Sequence, residues 1–462
     1  MSWILTHFWL IFGYLLGFLC SLALLRQPRH RQGIGLWLLG MLLIPYLAVP
    51  LYLAFGGRKY RKIIQEKGGI EFGEAASEAS DDDDPIDRML RNFGLPSSSG
   101  GNSVTIWDNG IDTYNGLMDQ IRNARRSISI ETYVLHLDAT GQAVVDALTE
   151  RAREGLDVRL LIDAVGSMPV KKKHLEEFVK AGGHLAYFIP VLHLPFRGKT
   201  NTRNHRKIAI FDCEHVIAGG SNIAEEYIGP TPLEGRWKDI NFLLKGPSVQ
   251  HYLAIFRSDW SFASREALPE DAWSWKGTTE IPGGKDVTQV IPSGPDIPRD
   301  TLYDSILTAI YGARKRLWIA APYFVPDDAL CEAICLAVSR GVDVRVIIPD
   351  VSNQPLADLA RSTYLRQIHE AGGRIFRYRG CNFHGKTVLV DDRLGFVGSM
   401  NMDRRSLFIN FEVMLLMYGP ELLEHVARWN ETLIDGSDEH VPTRSRIRLL
   451  QEGIVRILVP LL

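Results

Sequence analysis

The chain has 462 residues, 46% hydrophobic and 23% charged, which allows more than one folding unit and excludes a disordered or collagen-like protein. Its formal net charge of −2 argues against a nucleic-acid binder that works through bulk positive charge. Five cysteines in so long a chain exclude a disulfide scaffold. Composition therefore predicts a multidomain globular protein, and we expect no nucleic-acid partner.

The first 62 residues have the composition of a membrane anchor. Two uncharged apolar runs, at about 3–25 and 33–55, are each long enough to cross about 30 Å of hydrocarbon. The same 62 residues contain seven Lys or Arg and no Asp or Glu, as is typical of loops that flank membrane spans. A cleaved signal peptide is the alternative for the first run, but Met1 and Ser2 provide no basic region before it. We predict two retained transmembrane helices, whose orientation the nearly equal Lys and Arg counts do not settle.

Residues 63–103 are rich in Gly, Ser, Asp and Glu, and they include four consecutive aspartates, 81–84. A calcium loop is the alternative there, but no Gly-punctuated loop surrounds the carboxylates. We predict an acidic flexible linker, with one short amphipathic helical turn at about 86–95. At the other end, 441–462 is a basic and apolar tail that either lies on an anionic lipid surface or docks as a terminal helix or strand.

Beyond residue 103 the sequence repeats itself. The segment 155–162, Gly-Leu-Asp-Val-Arg-Leu-Leu-Ile, matches 341–348, Gly-Val-Asp-Val-Arg-Val-Ile-Ile. Helical periodicity alternates with short β-branched runs in each half, followed by a hairpin-like pair. This pattern predicts an α/β fold with two duplicated α-β-α sandwich domains, 104–280 and 281–440, each with a mixed, largely parallel sheet. Two related units commonly pack about a pseudo-twofold axis, which would bring equivalent loops face to face.

A His-x-Lys motif stands at the same place in both halves. In each copy an Asp follows the His by seven positions, a Gly follows the Asp by seven more, and an Asn lies three beyond the Gly. The copies contain His205, Lys207, Asp212, Ser221 and Asn222 in the first half, and His384, Lys386, Asp391, Ser399 and Asn401 in the second half. Residues two apart on a strand share one face, so the His and Lys of each copy point together, whereas the Asp takes a supporting ion-pair or turn role.

Two facing copies would supply a pair of imidazoles, ammonium groups and amides, a set suited to a phosphodiester. One neutral imidazole attacks phosphorus, and the other, protonated, donates its proton to the leaving alcohol. Lysine and asparagine side chains neutralise the non-bridging oxygens, so we expect no metal ion and no other cofactor. A single His-x-Lys would more often be a strand histidine beside a surface lysine, but two copies with identical spacing favour the catalytic interpretation.

At these residues the chain resembles the phospholipase D superfamily, whose signature is His-x-Lys-x₄-Asp-x₆-Gly-[Gly/Ser]-x-Asn, present twice. More narrowly it resembles the bacterial cardiolipin synthase family, through segments such as 236–239, 321–327, 410–412 and the terminal 460–462. The resemblance covers about 103–440, and two amino-terminal spans also match that family's layout. The chain departs from the family at Lys238, Ile240 and Asn241, where Arg, Thr and His are frequent, and at Gly385, where Ala or Ser is usual.

The resemblance implies roles for the motif residues. His205 is implied as the nucleophile and His384 as the general acid and base, while Asp239 and Glu412 orient the two histidines. Lys207, Lys386, Asn222 and Asn401, with Ser221 and Ser399 beside them, are implied as phosphate-binding groups. Asp212 and Asp391 complete the catalytic motifs.

The implied activity is a phosphatidyltransferase of the bacterial inner membrane, multi-pass, that joins two phosphatidylglycerols into cardiolipin and releases glycerol. Three alternatives remain open: a phosphodiesterase that hydrolyses lipid or nucleic acid, a transferase with another acceptor, such as a phosphatidylserine synthase, and a non-catalytic lipid-binding scaffold. The apolar spans and the absence of overall positive charge disfavour a nuclease. The intact state of both motif copies disfavours a scaffold. The oligomeric state is not predicted.

Overall fold

The structure, a computed structural model, describes residues 2–25, 34–52, 66–72, 84–190, 202–269, 274, 281, 284–380, 382–441 and 452. Its helices are Ser2–Leu25, Ile34–Leu43, Pro45–Leu51, Pro85–Asn92, Gly110–Asn123, Ala139–Arg153, Glu176–Lys180, Val249–Ser264, Thr301–Gly312, Asp328–Ser339, Pro355–Glu370, Arg404–Phe408 and Pro420–Asp435, with a 3₁₀ turn at Lys172–Leu175.

The strands are β1 (Ser99–Trp107), β2 (Ser127–Thr132), β3 (Asp157–Asp163), β4 (His184–Phe188), β5 (Ile208–Phe211), β6 (His215–Gly219), β7 (Asn241–Lys245), β8 (Asp286–Ser293), β9 (Arg316–Ala320), β10 (Phe324–Val325), β11 (Asp343–Pro349), β12 (Arg374–Tyr378), β13 (Thr387–Val390), β14 (Leu394–Gly398), β15 (Met402–Asp403), β16 (Glu412–Met417) and β17 (Ser437–Glu439).

One continuous sheet of fifteen strands runs through both halves. Its order is β17-β12-β11-β9-β13-β14-β16-β8 in the second half and β1-β7-β6-β5-β2-β3-β4 in the first half. Apart from the extra edge strand β17, the two orders are the same read outward from the centre, where β1 and β8 pair antiparallel. The structure therefore confirms a duplicated, sandwich-like α/β architecture, with the two units related by an approximate twofold at the β1–β8 junction.

The sheet is mixed but not largely parallel, which corrects the expectation from the sequence. Parallel pairing is confined to β2-β3-β4 and β9-β11-β12, where helices cross over between strands. The remaining pairs in this sheet are antiparallel, because later strands of each half follow one another through short connections such as the β5–β6 and β13–β14 hairpins.

Three apolar clusters form the layers. One cluster lies on the side of the sheet covered by Val249–Ser264 and Pro420–Asp435, and it contains residues of both halves, including Phe242, Trp260 and Phe411. The other two clusters lie under the remaining helices, one in each half. The halves thus share a core layer, so that their relative position is set by packing as well as by strand pairing.

Helix starts repeat between the halves in the same way as the strands. Asp138 accepts a hydrogen bond from the Gly141 amide at 2.9 Å, and Asp327 accepts one from the Leu330 amide at 2.9 Å, each at the N-terminus of the second helix of its half. A carboxylate at this position satisfies an otherwise unpaired amide. The local sequence signals are therefore duplicated together with the fold.

The helical turn predicted at about 86–95 is present, but the rest of the described linker is packed rather than flexible. Pro85–Asn92 is a helix capped by Asp84, and its Ile86 and Leu90 lie in the apolar cluster of the second half. Strand β1 begins at Ser99, before the predicted boundary at 104. The acidic composition did not indicate this packing, because the segment contains only a few apolar residues and they form no long apolar run. Residues 81–83 lie outside the described residues.

One helix in the described residues is long and apolar enough to cross a membrane, by length and composition, over His7–Leu25. The second predicted span is not confirmed: within the described part of 33–55 the chain forms two shorter helices, Ile34–Leu43 and Pro45–Leu51. The break lies at Ile44, because the proline at 45 disfavours a helical conformation in the residue before it.

These three helices pack closely against one another. A Cβ on Gly17 would lie 2.8 Å from the Met41 carbonyl oxygen, so this contact requires a glycine. The C-terminal tail, apart from Val441 and Glu452, lies outside the described residues.

Candidate active site

Each histidine segment pairs with the opposite half of the molecule. The His205 amide donates to the Phe411 carbonyl at 2.9 Å, and the Phe411 amide donates to the Arg203 carbonyl at 2.9 Å. In the second copy the His384 amide donates to the Lys238 carbonyl at 2.7 Å. The two motifs are therefore held in one site by backbone hydrogen bonds that cross between the halves.

His205 is oriented by a carboxylate of the other half. Its Nδ1 lies 3.0 Å from Glu412 Oε2 and 3.1 Å from the Ser399 carbonyl oxygen. Glu412 is fully buried, and Ser399 Oγ donates to the same carboxylate oxygen at 2.5 Å. A carboxylate and a carbonyl only accept, so Nδ1 carries the proton and Nε2 is left for a ligand.

His384 is oriented in the same way by the first half. Its Nδ1 lies 2.9 Å from Asp239 Oδ2, and both side chains are almost fully buried. Lys386 Nζ lies 2.8 Å from the same Nδ1 and also donates to the His384 carbonyl oxygen. Because a ring nitrogen cannot donate to Asp239 and accept from Lys386 at once, we assign its proton to the bond with the anion. Each half thus supplies one imidazole and the carboxylate that orients the other half's imidazole.

Both imidazoles line one cavity of about 340 Å³. Other residues of its wall come from both halves and are mostly polar: Tyr133, His136, Arg203, Asn222, Glu226, Tyr227, Tyr323, Asn353, Gln354, Asn401, Asp403, Arg404, Arg405, Ser406 and Asn410. The predicted amides Asn222 and Asn401 are among them, and Asn401 Oδ1 has no hydrogen-bond partner among the described residues. A phosphodiester entering this cavity would meet both imidazoles and both amides.

Burial keeps the imidazoles neutral. It lowers the pKa of His205 to about 4, against the opposing effect of Glu412, and it lowers the pKa of His384 to about 3, with Lys386 adding to the shift. The pKa of each orienting carboxyl is lowered in spite of its burial by its contact with the histidine, so both carboxyls are ionised. Two neutral rings beside fixed anions are poised to take up positive charge.

The His and Lys of each copy do not point together as the strand pattern predicts, because they precede β5 and β13 rather than lying on them. The imidazoles line the cavity, whereas the two lysines lie behind them and are not among its described wall residues. Lys207 Nζ donates to the His205 carbonyl oxygen at 2.6 Å, and Lys386 Nζ makes the equivalent bond in its own copy. Burial lowers the pKa of Lys207 well below its usual range and that of Lys386 to about 8. Contact with a phosphate would require these side chains to turn toward the cavity, where an anion would raise their pKa values again.

The motif aspartates lie away from this cluster. Asp212 accepts from the amides of Arg125, Arg126 and Ser127 at 2.7–3.1 Å, at the far end of β5 from Lys207. Asp391 does the same for the amides of 314–316. Both aspartates have φ of 54°, a left-handed conformation that Asp tolerates better than most residues. The geometry therefore favours the turn role and not a place among the reacting groups.

The two motif serines also differ from the expected phosphate contacts. Ser399 Oγ is fully buried against Glu412, as described above. Ser221 Oγ accepts from Asn241 Nδ2 at 2.8 Å, and the Ser221 amide donates to Asn241 Oδ1 at 3.1 Å. Ser399 supports an orienting carboxylate, whereas Ser221 supports a neighbouring strand.

Sequence reasoning missed the tyrosines that flank the histidines. The rings of Tyr133 and His205 meet edge to face at 4.9 Å between centroids, and Tyr227 and His384 do the same at 4.9 Å. Tyr323 stands one residue before β10 and lines the cavity. The duplication could have indicated two of these tyrosines, because Tyr133 and Tyr323 follow the equivalent strands β2 and β9.

Comparison with known proteins places this site in a family. The family described as "Cardiolipin synthase, PLD-like domain" matches residues 117–260 and 306–434. "Cardiolipin synthase 2" of Bacillus anthracis is 32% identical over 96% of this chain and 90% of that protein. "Cardiolipin synthase A" of Pseudomonas entomophila is 31% identical over 98% of each.

Among solved structures, the phosphatidylserine synthase of Haemophilus influenzae Rd KW20 aligns with a TM-score of 0.62, at 18% identity, over 82% of this chain and 98% of that one. This likeness shows the fold. The match of the duplicated domain and of nearly full-length relatives shows that the chain is an enzyme of the cardiolipin synthase family within the phospholipase D superfamily.

Proposed function

We propose that the protein is a membrane phosphatidyltransferase that condenses two phosphatidylglycerols into cardiolipin and glycerol through a phosphohistidine intermediate. The observation that carries this proposal is that His205 and His384 line one cavity while each is held at Nδ1 by a carboxylate of the opposite half. Two imidazoles oriented in this way can divide nucleophilic and acid–base work at a single phosphorus atom.

In the first step His205 Nε2 attacks the phosphorus of the donor lipid. The new N–P bond forms as the P–O bond to the glycerol headgroup breaks, and His384 gives its proton to the departing oxygen. Glu412 stabilises the positive charge that develops on His205. The pKa of His384 is low in the free protein, so we expect the anionic phosphate to raise it and to supply the charged acid when substrate is bound.

In the second step the acceptor lipid replaces glycerol. His384, now neutral, takes the proton from a hydroxyl of the acceptor's glycerol, and that oxygen attacks phosphorus as the N–P bond breaks. Cardiolipin leaves and His205 returns to its starting state. The two histidines are nearly equivalent in geometry, so their division of labour follows the resemblance to the superfamily.

The membrane supplies both lipids at high local concentration, which favours an alcohol over water as the acceptor. The helix that includes His7–Leu25 is the candidate anchor. We propose a bacterial inner-membrane location, with the second apolar run as part of the anchor.

Product analysis tests the proposal. Purified protein is incubated with phosphatidylglycerol vesicles in excess EDTA, and the lipids and water-soluble products are separated. Cardiolipin together with glycerol supports the transferase. Phosphatidic acid with glycerol would establish a hydrolase, a new phospholipid formed only on addition of serine would establish a different transferase, and the absence of turnover would leave a lipid-binding scaffold.

Trapping of the intermediate tests the roles. We expect His205→Ala to abolish protein-bound label from lipid labelled at phosphorus, and His384→Ala to retain labelling at a lower rate. His215→Ala is the control, because His215 lies on β6 and binds Gln120 away from the cavity. Normal labelling of His205→Ala would refute the assignment, and labelling that depends on His384 alone would exchange the two roles.

A further inference from the structure

Lys67 inserts its side chain into the catalytic domain from the segment that follows the apolar helices. The side chain of Lys67 has no exposed surface, although the residue belongs to the stretch predicted to be a flexible linker. Two further residues of this segment, Ile70 and Phe72, pack against the apolar cluster shared by the two halves and against the cluster of the second half. We call residues 66–72 the docking segment.

Lys67 completes a buried ring of alternating charges. Its Nζ lies 2.9 Å from Asp259 Oδ1 and 2.6 Å from Asp296 Oδ2. Arg206 Nη1 bridges the same two carboxylates, at 2.8 Å and 3.3 Å. All four side chains are fully buried. Glu131 is buried beside them, and burial together with Asp259 raises the pKa of Glu131 well above its usual range, which favours its neutral form. Two cations then balance the two anions where no water is available to solvate them.

This ring binds the two residues that flank His205 in sequence. Arg206 follows the histidine directly, and its Nε donates to the Glu412 carbonyl oxygen at 3.2 Å. Asn204 precedes the histidine, and its Nδ2 lies 3.3 Å from Asp259 Oδ2. Asp259 therefore holds both neighbours of His205, while Arg206 also holds the backbone of the residue that orients the imidazole.

The second copy of the motif is built differently. Gly385 occupies the position equivalent to Arg206, and a Cβ there would lie 2.4 Å from the Trp429 ring. Packing against an aromatic ring thus replaces the cation at this position. The charge ring is an addition specific to the first histidine, the one we propose as nucleophile.

Without Lys67 the ring would contain two buried carboxylates and one guanidinium. Such a site relaxes by taking up a proton or by drawing Arg206 toward the uncompensated carboxylate. Movement of Arg206 would pull on the Glu412 backbone and change the contact between Glu412 and His205. A displacement of about 1 Å in a catalytic group can cost roughly 100-fold in rate.

We infer that Lys67 is a positioning residue for His205: by neutralising Asp259 and Asp296 it fixes Arg206 and Asn204, and it makes the docking segment part of the support of the active site. The inference concerns the geometry of His205 and extends the proposed function without depending on which lipid is the acceptor. It also connects the membrane-proximal segment physically to the catalytic centre.

The test compares three full-length variants: Lys67→Met, the charge-balanced Lys67→Met/Asp296→Asn, and the control Lys285→Met, which removes an exposed lysine paired with Glu421. We expect Lys67→Met to lower kcat on phosphatidylglycerol vesicles about 10- to 100-fold, with KM changed less than about threefold. In the double variant kcat should return to near the wild-type value. Its one guanidinium is balanced by one carboxylate, and the amide oxygen at position 296 can still accept a hydrogen bond. The control should match the wild type.

A second readout separates positioning from folding. The ¹⁵N signals of His205, assigned with His205→Asn, are titrated in the detergent-solubilised protein, and we expect the midpoint to move in Lys67→Met and to return in the double variant. A lower yield or melting temperature with unchanged kcat per folded site and an unchanged midpoint would overturn the inference. If the wild type makes no cardiolipin, the proposed function fails, and the titration still decides the role of Lys67.

Discussion

Substitution of Glu412 by Gln removes the charge that orients His205 while keeping the size of the side chain. Glu412 lies at the start of β16, fully buried, with Oε2 3.0 Å from His205 Nδ1. An amide can still accept a hydrogen bond there, but it cannot stabilise the positive ring that forms when Nε2 becomes bonded to phosphorus. The variant therefore tests the electrostatic role of the residue rather than its packing.

The magnitude follows from the kind of bond. A hydrogen bond to a charged group contributes about 1.5–3 kcal/mol, more than a neutral one. Since about 1.4 kcal/mol corresponds to tenfold, loss of this contribution from the transition state slows formation of the phosphoenzyme roughly 10- to 150-fold. Glu412 also opposes the lowering of the His205 pKa, so that pKa should fall further in the variant.

The assay is a rapid-quench measurement of protein-bound phosphate during a single turnover of labelled phosphatidylglycerol. The control is Glu424→Gln, which removes an exposed carboxylate paired only loosely with Arg428 at 3.9 Å. Phosphoenzyme formation in Glu412→Gln within about twofold of the wild type, with the protein folded, would refute the proposed coupling between the halves.

Three further predictions concern support, folding and pH. Ser399→Ala should lower kcat about fivefold through loss of the hydrogen bond to Glu412, while Ser221→Ala leaves kcat unchanged. Equal effects of the two substitutions in steady-state assays would count against the different roles assigned to these serines. Asp391→Ala should lower the free energy of unfolding by about 1–3 kcal/mol without changing the rate per folded site, as measured by chemical denaturation beside single-turnover kinetics; a slower chemical step would return this residue to the reacting set. The pKa values of His205 and His384 are about 4 and about 3 in the folded protein, against 6.5 in the unfolded chain. Between the folded and the unfolded pKa the unfolded chain therefore binds more protons than the folded protein. The free energy of unfolding has its full value above pH 6.5 and falls by about 3 kcal/mol or more per histidine as the pH drops from 6.5 to the folded pKa. Melting temperatures from pH 7 to pH 4 should therefore decline, less steeply in His205→Asn/His384→Asn, and parallel curves would contradict the assigned burial.

Much of the site was predictable because the sequence is duplicated. The spacing predicted a strand at each motif, and the hairpins β5–β6 and β13–β14 are present, but the His and Lys precede these strands instead of sharing one strand face. The resemblance pointed to Asp239 and Glu412 as orienting residues, and the structure places each against a histidine of the other half.

Other features depend on residues far apart in the chain. The mainly antiparallel sheet follows from which strands pair, and the exchange of orienting carboxylates between halves follows from the junction at β1 and β8. The position of Lys67 against Asp259 and Asp296 could not be inferred from a segment that is polar and short. The duplication, the candidate reacting groups and the apolar amino terminus could thus be read from the sequence, since these depend on local composition and spacing. The folded chain was needed to show which half orients which histidine and which charges are buried together, because these contacts join residues whose separation in sequence has no regular period.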